Sequence, residues 1–461
     1  MRELGERMSP ARLPADLWRR GRRQRYRGRI IAVAAVALLC AAVAVLPGLH
    51  AEPQPAEGGP VVPRSVGLPY FWQATVDMAP PGPASVLFGG DSLGLSSGDP
   101  FEEEGGKLAV LGLNGDYRIL RYASDGVRAG QGVRLSPDGS LVAHSDLTGG
   151  PAGWLVVTDL RTGRSRGYSG GETACCAEVV AWRPDSGAVL ALQSARDGYP
   201  IDGPAAWYVL VDLASGAVTP VEDRLLWDDN ASAWGAAFAP DGRGFVAART
   251  AAHGTELRGY DAAGRRLWTR DLGGGRRLAG SGAYTSDSST LALLTVDECP
   301  FQCDHDQRDA RGWRVSYLDP ATGTDREGPA LPEVTGAAVR ALGWHGDALV
   351  VVQYESEDYV TAAESETREI RHVRVLALRP GAVDVVLDPP ADVASIDIAQ
   401  DLVRNGQFGG PVPAPAMLPA RWPVVAQAAL CLLCLLAPVA AAVVILVRVV
   451  RAALRRRVAA G

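Results

Sequence analysis

Leu135-Ser136-Pro137-Asp138-Gly139 is the stretch that decides the fold, because it returns through the middle of the chain. It recurs as Trp182-Arg183-Pro184-Asp185-Ser186-Gly187 and Phe238-Ala239-Pro240-Asp241-Gly242, and in weaker form at Tyr284-Thr285-Ser286-Asp287 and Trp344-His345-Gly346-Asp347. Proline sets φ for the first central position of a turn, and Asp then Gly suit the next two. Apolar runs flank each copy, such as Val179-Val180-Ala181-Trp182 before and Val189-Leu190-Ala191-Leu192 after, so each copy is the turn of a hairpin.

A third apolar run follows, Leu155-Val156-Val157-Thr158 or Tyr208-Val209-Leu210-Val211, ending in Asp159-Leu160-Arg161-Thr162-Gly163 or Asp212-Leu213-Ala214-Ser215-Gly216. Tyr260-Asp261-Ala262-Ala263-Gly264 and Leu318-Asp319-Pro320-Ala321-Thr322-Gly323 hold the same place later, and Leu113-Asn114-Gly115 does so in the first unit. The glycine pins a second hairpin. The opening turns at 137, 184, 240, 286 and 345 stand 47, 56, 46 and 59 residues apart, against roughly 40–50 for a four-stranded propeller blade. Residues 66–402 are therefore expected to be all-β, a β-propeller of six blades or seven, with residues 66–123 as a degenerate first unit. A last strand, residues 394–402, would close the ring against it.

The Ser-Pro-Asp-Gly turn followed by an Asp-Leu-x-Thr-Gly turn resembles the WD-like propeller repeat of TolB-type periplasmic proteins. Three clear copies carry the resemblance. The full WD signature is missing, since Asp159 and Asp212 follow Thr158 and Val211 rather than Trp. The resemblance implies a fold and no particular partner. In one blade, residues 260–268 also resemble the Asp-x-x-Thr-Gly-x-x-x-Trp repeat of quinone-dependent dehydrogenases, in which tryptophan packs between blades.

Around this body the composition changes. The chain of 461 residues carries a formal net charge of −6. Residues 1–29 hold ten Arg against three acids, and residues 448–461 five Arg and none, so the region between has 31 bases against 49 acids, a net of −18. Residues 30–49 and 422–447 are apolar runs, each long enough as a helix to cross a bilayer core. Arginines on the terminal side of both place both ends in the cytoplasm and the acidic body outside. The expected organisation is a basic tail (1–29), a transmembrane helix (30–49), a Pro/Gly-rich linker (50–65), the propeller, a second linker (403–421), a second transmembrane helix (422–447) and a basic tail (448–461). Two other readings of the first run are a cleaved signal peptide, with Leu49-His50-Ala51 as a poor cleavage site, and a lipid anchor at Cys40, where Leu39 replaces the small residue that signal wants. An Arg-, Ala- and Gly-rich composition with Lys107 as the only lysine resembles that of membrane proteins from high-GC actinobacteria.

Chemistry is sparse. Cys175, Cys176, Cys299 and Cys303 lie in the region expected outside, where disulfides persist, and Cys299 with Cys303 is the favoured pair. Asp297, Glu298, Asp304, His305, Asp306 and Asp309 surround that loop, an oxygen-rich set for a cation or simply a solvated acidic loop. No EF-hand spacing is present. Two Gly-x-Ser-x-Gly matches, at 94–98 and 167–171, lie in Gly-rich turns with no helix pattern after the serine, which a nucleophile elbow requires. No cofactor motif and no nucleic-acid signature is present.

The expected function is a non-catalytic protein-interaction or ligand-sensing module outside the membrane. Its partners would be the lipid bilayer, through two transmembrane helices, and an extracytoplasmic or membrane protein. The rival expectation is a hydrolase or lyase in the propeller's central pocket, which requires ionisable side chains converging from several blades.

Overall fold

The computed structural model describes residues 60–416 apart from 71, 91–106, 121–127, 146–153, 171–173, 196–204, 222–224, 227–233, 252–253, 297–304, 357–369 and 392, together with 419 and much of 434–456. The described body is all-β apart from short helices and is built from four-stranded antiparallel meanders, two of which are joined into one sheet by the pairing of Val179 with Gly132. In chain order these are Gly132–Leu135 through Ser165–Tyr168, Ala174–Trp182 through Val218–Pro220, Ala236–Phe238 through Arg266–Asp271, Arg276–Leu278 through Asp325–Arg326, and Ala338–His345 through Ala382–Leu387. One further meander is assembled from both ends of the body. Ser395–Ile398 pairs with Ala84–Gly90, which continues into Lys107–Gly112 and Tyr117–Leu120. This is the closure expected of residues 394–402, but shorter, because the chain turns into the short helix Gln400–Arg404.

The distribution of buried side chains puts the meanders in a ring. Val86 and Leu111 of the meander closed by Ser395–Ile398 pack with Val133 and Leu135 of the next. Ala143 and Leu155 share a cluster with Val189 and Val209. Leu190 and Tyr208 then pack with Phe238 and Phe245, and Val246, Leu293, Trp344 and Leu349 join the next three. Val350 and Val375 complete the circuit by packing with the first cluster. Strands sandwiched between neighbours are apolar on both faces, so the middle runs do not alternate. A propeller-like closed ring with little exposed edge follows.

Turn chemistry is repeated as the sequence predicts. Gly139 and Gly242 adopt left-handed φ of 72° and 69°, Ser186 and Ser288 take the same place at 58° and 60°, and Gly346, at 59°, opens a shorter two-residue turn between His345 and Ala348. In the second hairpins Gly163, Gly216, Gly264 and Gly323 all have φ between 69° and 77°. Before them the carboxylates of Asp159, Asp212, Asp261 and Asp319 accept backbone N–H groups two to four residues on. Because strands alternate in direction, both turn types lie on one face of the ring. The opposite ends of the second strands, at Gly90, Ser145, Ala195, Val296 and Ser356, lie on the other.

The incoming and outgoing segments run side by side. Val62–Pro63 pairs in parallel with Phe408–Gly410. Further along, Tyr117 Oη donates to the Pro413 carbonyl and accepts from Gly67 N–H, and Ala74 N–H donates to the Pro419 carbonyl at 2.9 Å. Of the two stretches expected as linkers, residues 62–63, 408–410, 413 and 419 are thus bonded to one another or to the described body. Residues 30–49 lie outside the described residues. No helix among the described residues is long and apolar enough to cross a membrane. Residues 442–453 of the second apolar run and its flank are helical.

Candidate functional site at the ring axis

Each inner strand reads as an apolar run, yet several carry one ionisable residue in the middle: Val133-Arg134-Leu135, Ala177-Glu178-Val179, Val339-Arg340-Ala341 and Ile396-Asp397-Ile398. In the ring these converge. Arg134 donates from Nε to the Val179 carbonyl at 3.0 Å and from Nη1 to Ser281 Oγ at 3.2 Å, reaching from one meander to another three places further in chain order. Arg340, wholly buried, donates to Tyr354 Oη, to Asp397 Oδ1 at 3.2 Å and to the Ile396 carbonyl at 2.6 Å. The second oxygen of Asp397 accepts Leu135 N–H at 3.0 Å. Asp397 therefore joins three consecutive inner strands.

Space for the guanidinium is made by glycine. A Cβ on Gly130 would lie 2.2 Å from Arg340 Nη2, and one on Gly280 2.9 Å from its Cγ; both glycines have positive φ. Beside this network Arg277 lies over Trp313, 4.0 Å from the ring centroid, and 5.8 Å from Trp234. Trp234 stacks on Tyr354 with centroids 5.2 Å apart. Arg277 is half-buried there, and a cation partly shielded from water gains more against aromatic faces than a fully exposed one.

Charge at the axis is tuned by burial. Burial and the neighbouring charge of Arg340 push Arg134 down to about 10, with Asp397 and Glu178 acting in the opposite direction. Burial pushes the Glu178 carboxyl up to about 7, against the pull of Arg134. Glu178 is half-buried, so solvent relieves part of that penalty. His144, on the second strand of its meander, is held well below the usual imidazole range by burial.

Two small cavities lie at the axis among the described residues. Towards the turn face, a cavity of about 30 Å³ is lined by Trp182, Phe238, Tyr284, Trp344, Gln400 and Arg404, with a second of about 10 Å³ beside Arg134, Ser281 and Asp397. One water requires about 10–15 Å³ on such a measure, so the two hold a few waters. The helix Gln400–Arg404 lies at this end, with Asp401 N–H donating to the Pro137 carbonyl and His345 Nδ1 2.9 Å from the Arg404 carbonyl oxygen.

The sequence-expected site residues are placed elsewhere or outside. Cys299, Cys303, Asp297, Glu298 and Asp304 lie outside the described residues, as does the 94–98 match. Cys175 and Cys176 lie on the inner strand Ala174–Trp182. His305 opens the helix His305–Asp309, and Asp306 is exposed on it. Among the described residues no group of three or more metal-binding side chains occurs. Asp309 is committed to the fold: its carboxylate accepts the Ser356 N–H and Oγ at 2.9 and 2.8 Å. Arg311 is buried and donates to the Ala337 carbonyl. The end of the expected open loop is thus an ordered helical turn, because these two side chains tie it to the next meander.

Ser169 is followed by the strand Ala174–Trp182 and not by a helix, and a Cβ on Gly170 would collide with the Trp154 indole at 1.7 Å. That match is a packing motif. Trp154, Trp182, Phe238 and Trp344 are buried between meanders. Trp268 donates to the Pro320 carbonyl at 2.8 Å, a docking contact with the turn of the next meander.

What the residue-by-residue reading missed is the axial set Arg134, Glu178, Arg340 and Asp397. The signal that could have found it is the lone charge inside each apolar inner strand. A charge in a strand buried on both faces must find a partner, and the common place for all inner strands is the axis.

No family model matches the chain, and neither does any curated protein sequence. Among solved structures it is similar to oligogalacturonate lyase from Vibrio parahaemolyticus (13% identity, 71% of this chain and 79% of that one, TM-score 0.41). It is also similar to TolB from Acinetobacter baumannii (12%, 62% and 67%, 0.32) and to puromycin hydrolase (16%, 70% and 56%, 0.37). These likenesses are too distant to carry function, and the fold rests on strand order and packing.

Proposed function

We propose that the protein is a six-bladed β-propeller held at a membrane by two helices, with the propeller outside the cytoplasm, and that it works by binding a protein or ligand through loops on one face. The observation that carries the binding reading is the state of the axis. Arg340 and Asp397 pair with one another, Arg134 is held by backbone and Ser281, and the cavities beside them among the described residues hold a few waters. The strand ends that lead into the longer connections, from Gly90 to Ser356, are on the opposite side from the tight turns, and loops carried on a rigid ring are a common place for binding. The net negative charge of the body favours a basic or cationic partner.

Membrane attachment is supported by the helix over residues 442–453 and its flank. Leu436, Val443, Val444, Ile445, Leu446, Val447, Val449 and Val450 are 40–63% exposed. An apolar helix exposed along successive residues calls for lipid or a partner around it. Reporter fusions at residues 20, 230 and 458 are expected to read inside, outside and inside. A cytoplasmic reading at 230 defeats the topology and the extracytoplasmic disulfide between Cys299 and Cys303 together. Crosslinking in cells followed by identification of co-purifying proteins is expected to recover a membrane or extracytoplasmic partner that loop-face substitutions release.

A second reading is favoured by one observation, a carboxyl at the axis with a pKa near 7, suited to proton transfer. On that reading the propeller is a hydrolase or lyase with Glu178 as its acid or base. Glu178→Gln separates the two: it abolishes any turnover but leaves partner capture unchanged.

A further inference from the structure

Tyr70 and Trp72 stack with ring centroids 4.7 Å apart and planes within 6°. Tyr70 is 39% exposed, and the same rim carries Met78 at 46% and Val412 at 50%. Leu113, Leu267, Val383 and Val385 are also exposed on the ring. What groups Met78 with Val412 is that neighbouring Tyr117 and Arg118 bind the Pro413 and Ala79 carbonyls, and a grouped apolar rim calls for an occupant.

The chain itself indicates which one. Ala74 N–H and Gln73 Nε2 both donate to the Pro419 carbonyl, at 2.9 and 3.4 Å. Only Ala420, Arg421 and Trp422 separate Pro419 from residue 423, where the apolar run continues without a charge to Val447. Four Cα steps reach at most about 14 Å. If that run crosses a bilayer, Pro419 lies within that distance of the headgroup layer, and Gln73 and Ala74, bonded to it, bring Tyr70 and Trp72 close by. Stacked Tyr and Trp rings, apolar in body and polar at the tip, are the side chains that settle there.

We propose that the rim carrying Tyr70, Trp72, Met78 and Val412 is a lipid-contacting surface that rests at the headgroup level of the membrane. The ring is thereby held in one orientation and its loop face is left free of the bilayer. This rests on the membrane-anchored reading of residues 422–447. The surface adds a second point of contact to the helical anchor and turns a swivelling tether into a fixed mount.

The test uses the full chain in phosphatidylethanolamine–phosphatidylglycerol vesicles whose acyl chains are brominated just below the headgroup. Comparing wild type with Trp72→Phe isolates the Trp72 emission, which is expected to fall about 2-fold or more in brominated against unbrominated vesicles. Met78→Trp supplies a second, independent reporter and is expected to gain a quenchable emission. Alkaline carbonate extraction of the same vesicles reports the anchor separately. Protein that resists extraction while both tryptophans stay unquenched overturns the lipid-contacting rim and leaves the anchor standing. Protein that is extracted defeats the anchor, and with it the reason for this surface. Unquenched tryptophans together with self-crosslinking through Met78→Cys would assign the rim to a second copy of the chain and also overturn the proposal.

Discussion

At the residue scale, the axial network is held by pairing and not by solvent. Arg340 has no route to water, so its charge is tolerable only with Asp397, Tyr354 and the Ile396 carbonyl around it. Removing one partner strands the other. Arg340→Met and Asp397→Leu are each expected to cost about 3–5 kcal/mol in urea unfolding, and the double variant clearly less than the sum. Additive losses would show that the pair is not a unit. Glu178 makes a pH prediction of definite sign. Its carboxyl is raised in the folded state to about 7, so the fold favours the protonated form. The contribution is present at low pH and is lost as pH rises from the ordinary carboxylate range through 7. Discounted for partial exposure, the loss is on the order of 1–2 kcal/mol. Glu178→Gln is expected to remove that slope from stability measured between pH 4 and 8.

At the element scale, the two turn types show how much depends on a single backbone position. Gly139 has φ of 72°, and its added Cβ would meet the Ala84 carbonyl oxygen at 2.1 Å. Gly139→Ala combines left-handed strain with a backbone collision and is expected to cost about 3 kcal/mol or more. Ser288 holds the equivalent turn position with φ of 60°. There Ser288→Gly relieves strain, less the entropy glycine loses on folding, for a net gain of about 0.5 kcal/mol by thermal unfolding. Asp138 illustrates why the repeat persists. Burial raises its carboxyl, yet hydrogen bonds from Ser136, Ser140 and Ser186 outweigh this and hold it below the usual range. Ser186 belongs to the next meander's turn, so the motif fastens neighbours as well as closing its own hairpin.

At the scale of the whole molecule, the ring is closed by Ser395–Ile398 on Ala84–Gly90, and the same strand supplies Asp397 to the axis. Truncation after Ala394 is expected to expose an unpaired inner edge and to leave buried Arg340 without Asp397 and the Ile396 carbonyl. The observable result would be loss of the cooperative unfolding transition and aggregation of the product. A truncated chain that still unfolds in one sharp transition would show that closure is dispensable.

The repeat, the strand and turn order and the all-β class were all readable from the local sequence. Each of these depends on residues within about fifty positions of one another, and turn residues such as Pro137, Asp138 and Gly139 encode geometry locally. Residues 403–419 were legible only as a linker, because nothing local shows that Pro413 and Pro419 would meet Tyr117 and Ala74. The axial site was only half legible. Arg134, Glu178, Arg340 and Asp397 can be picked out as charges inside apolar strands, but which of them meet is set by the order in which the meanders close. Arg134 and Ser281 lie 147 positions apart, and Leu135 and Asp397 lie 262 apart. Only the tertiary structure decided those contacts, since ring closure and not local propensity brings distant inner strands to a common axis.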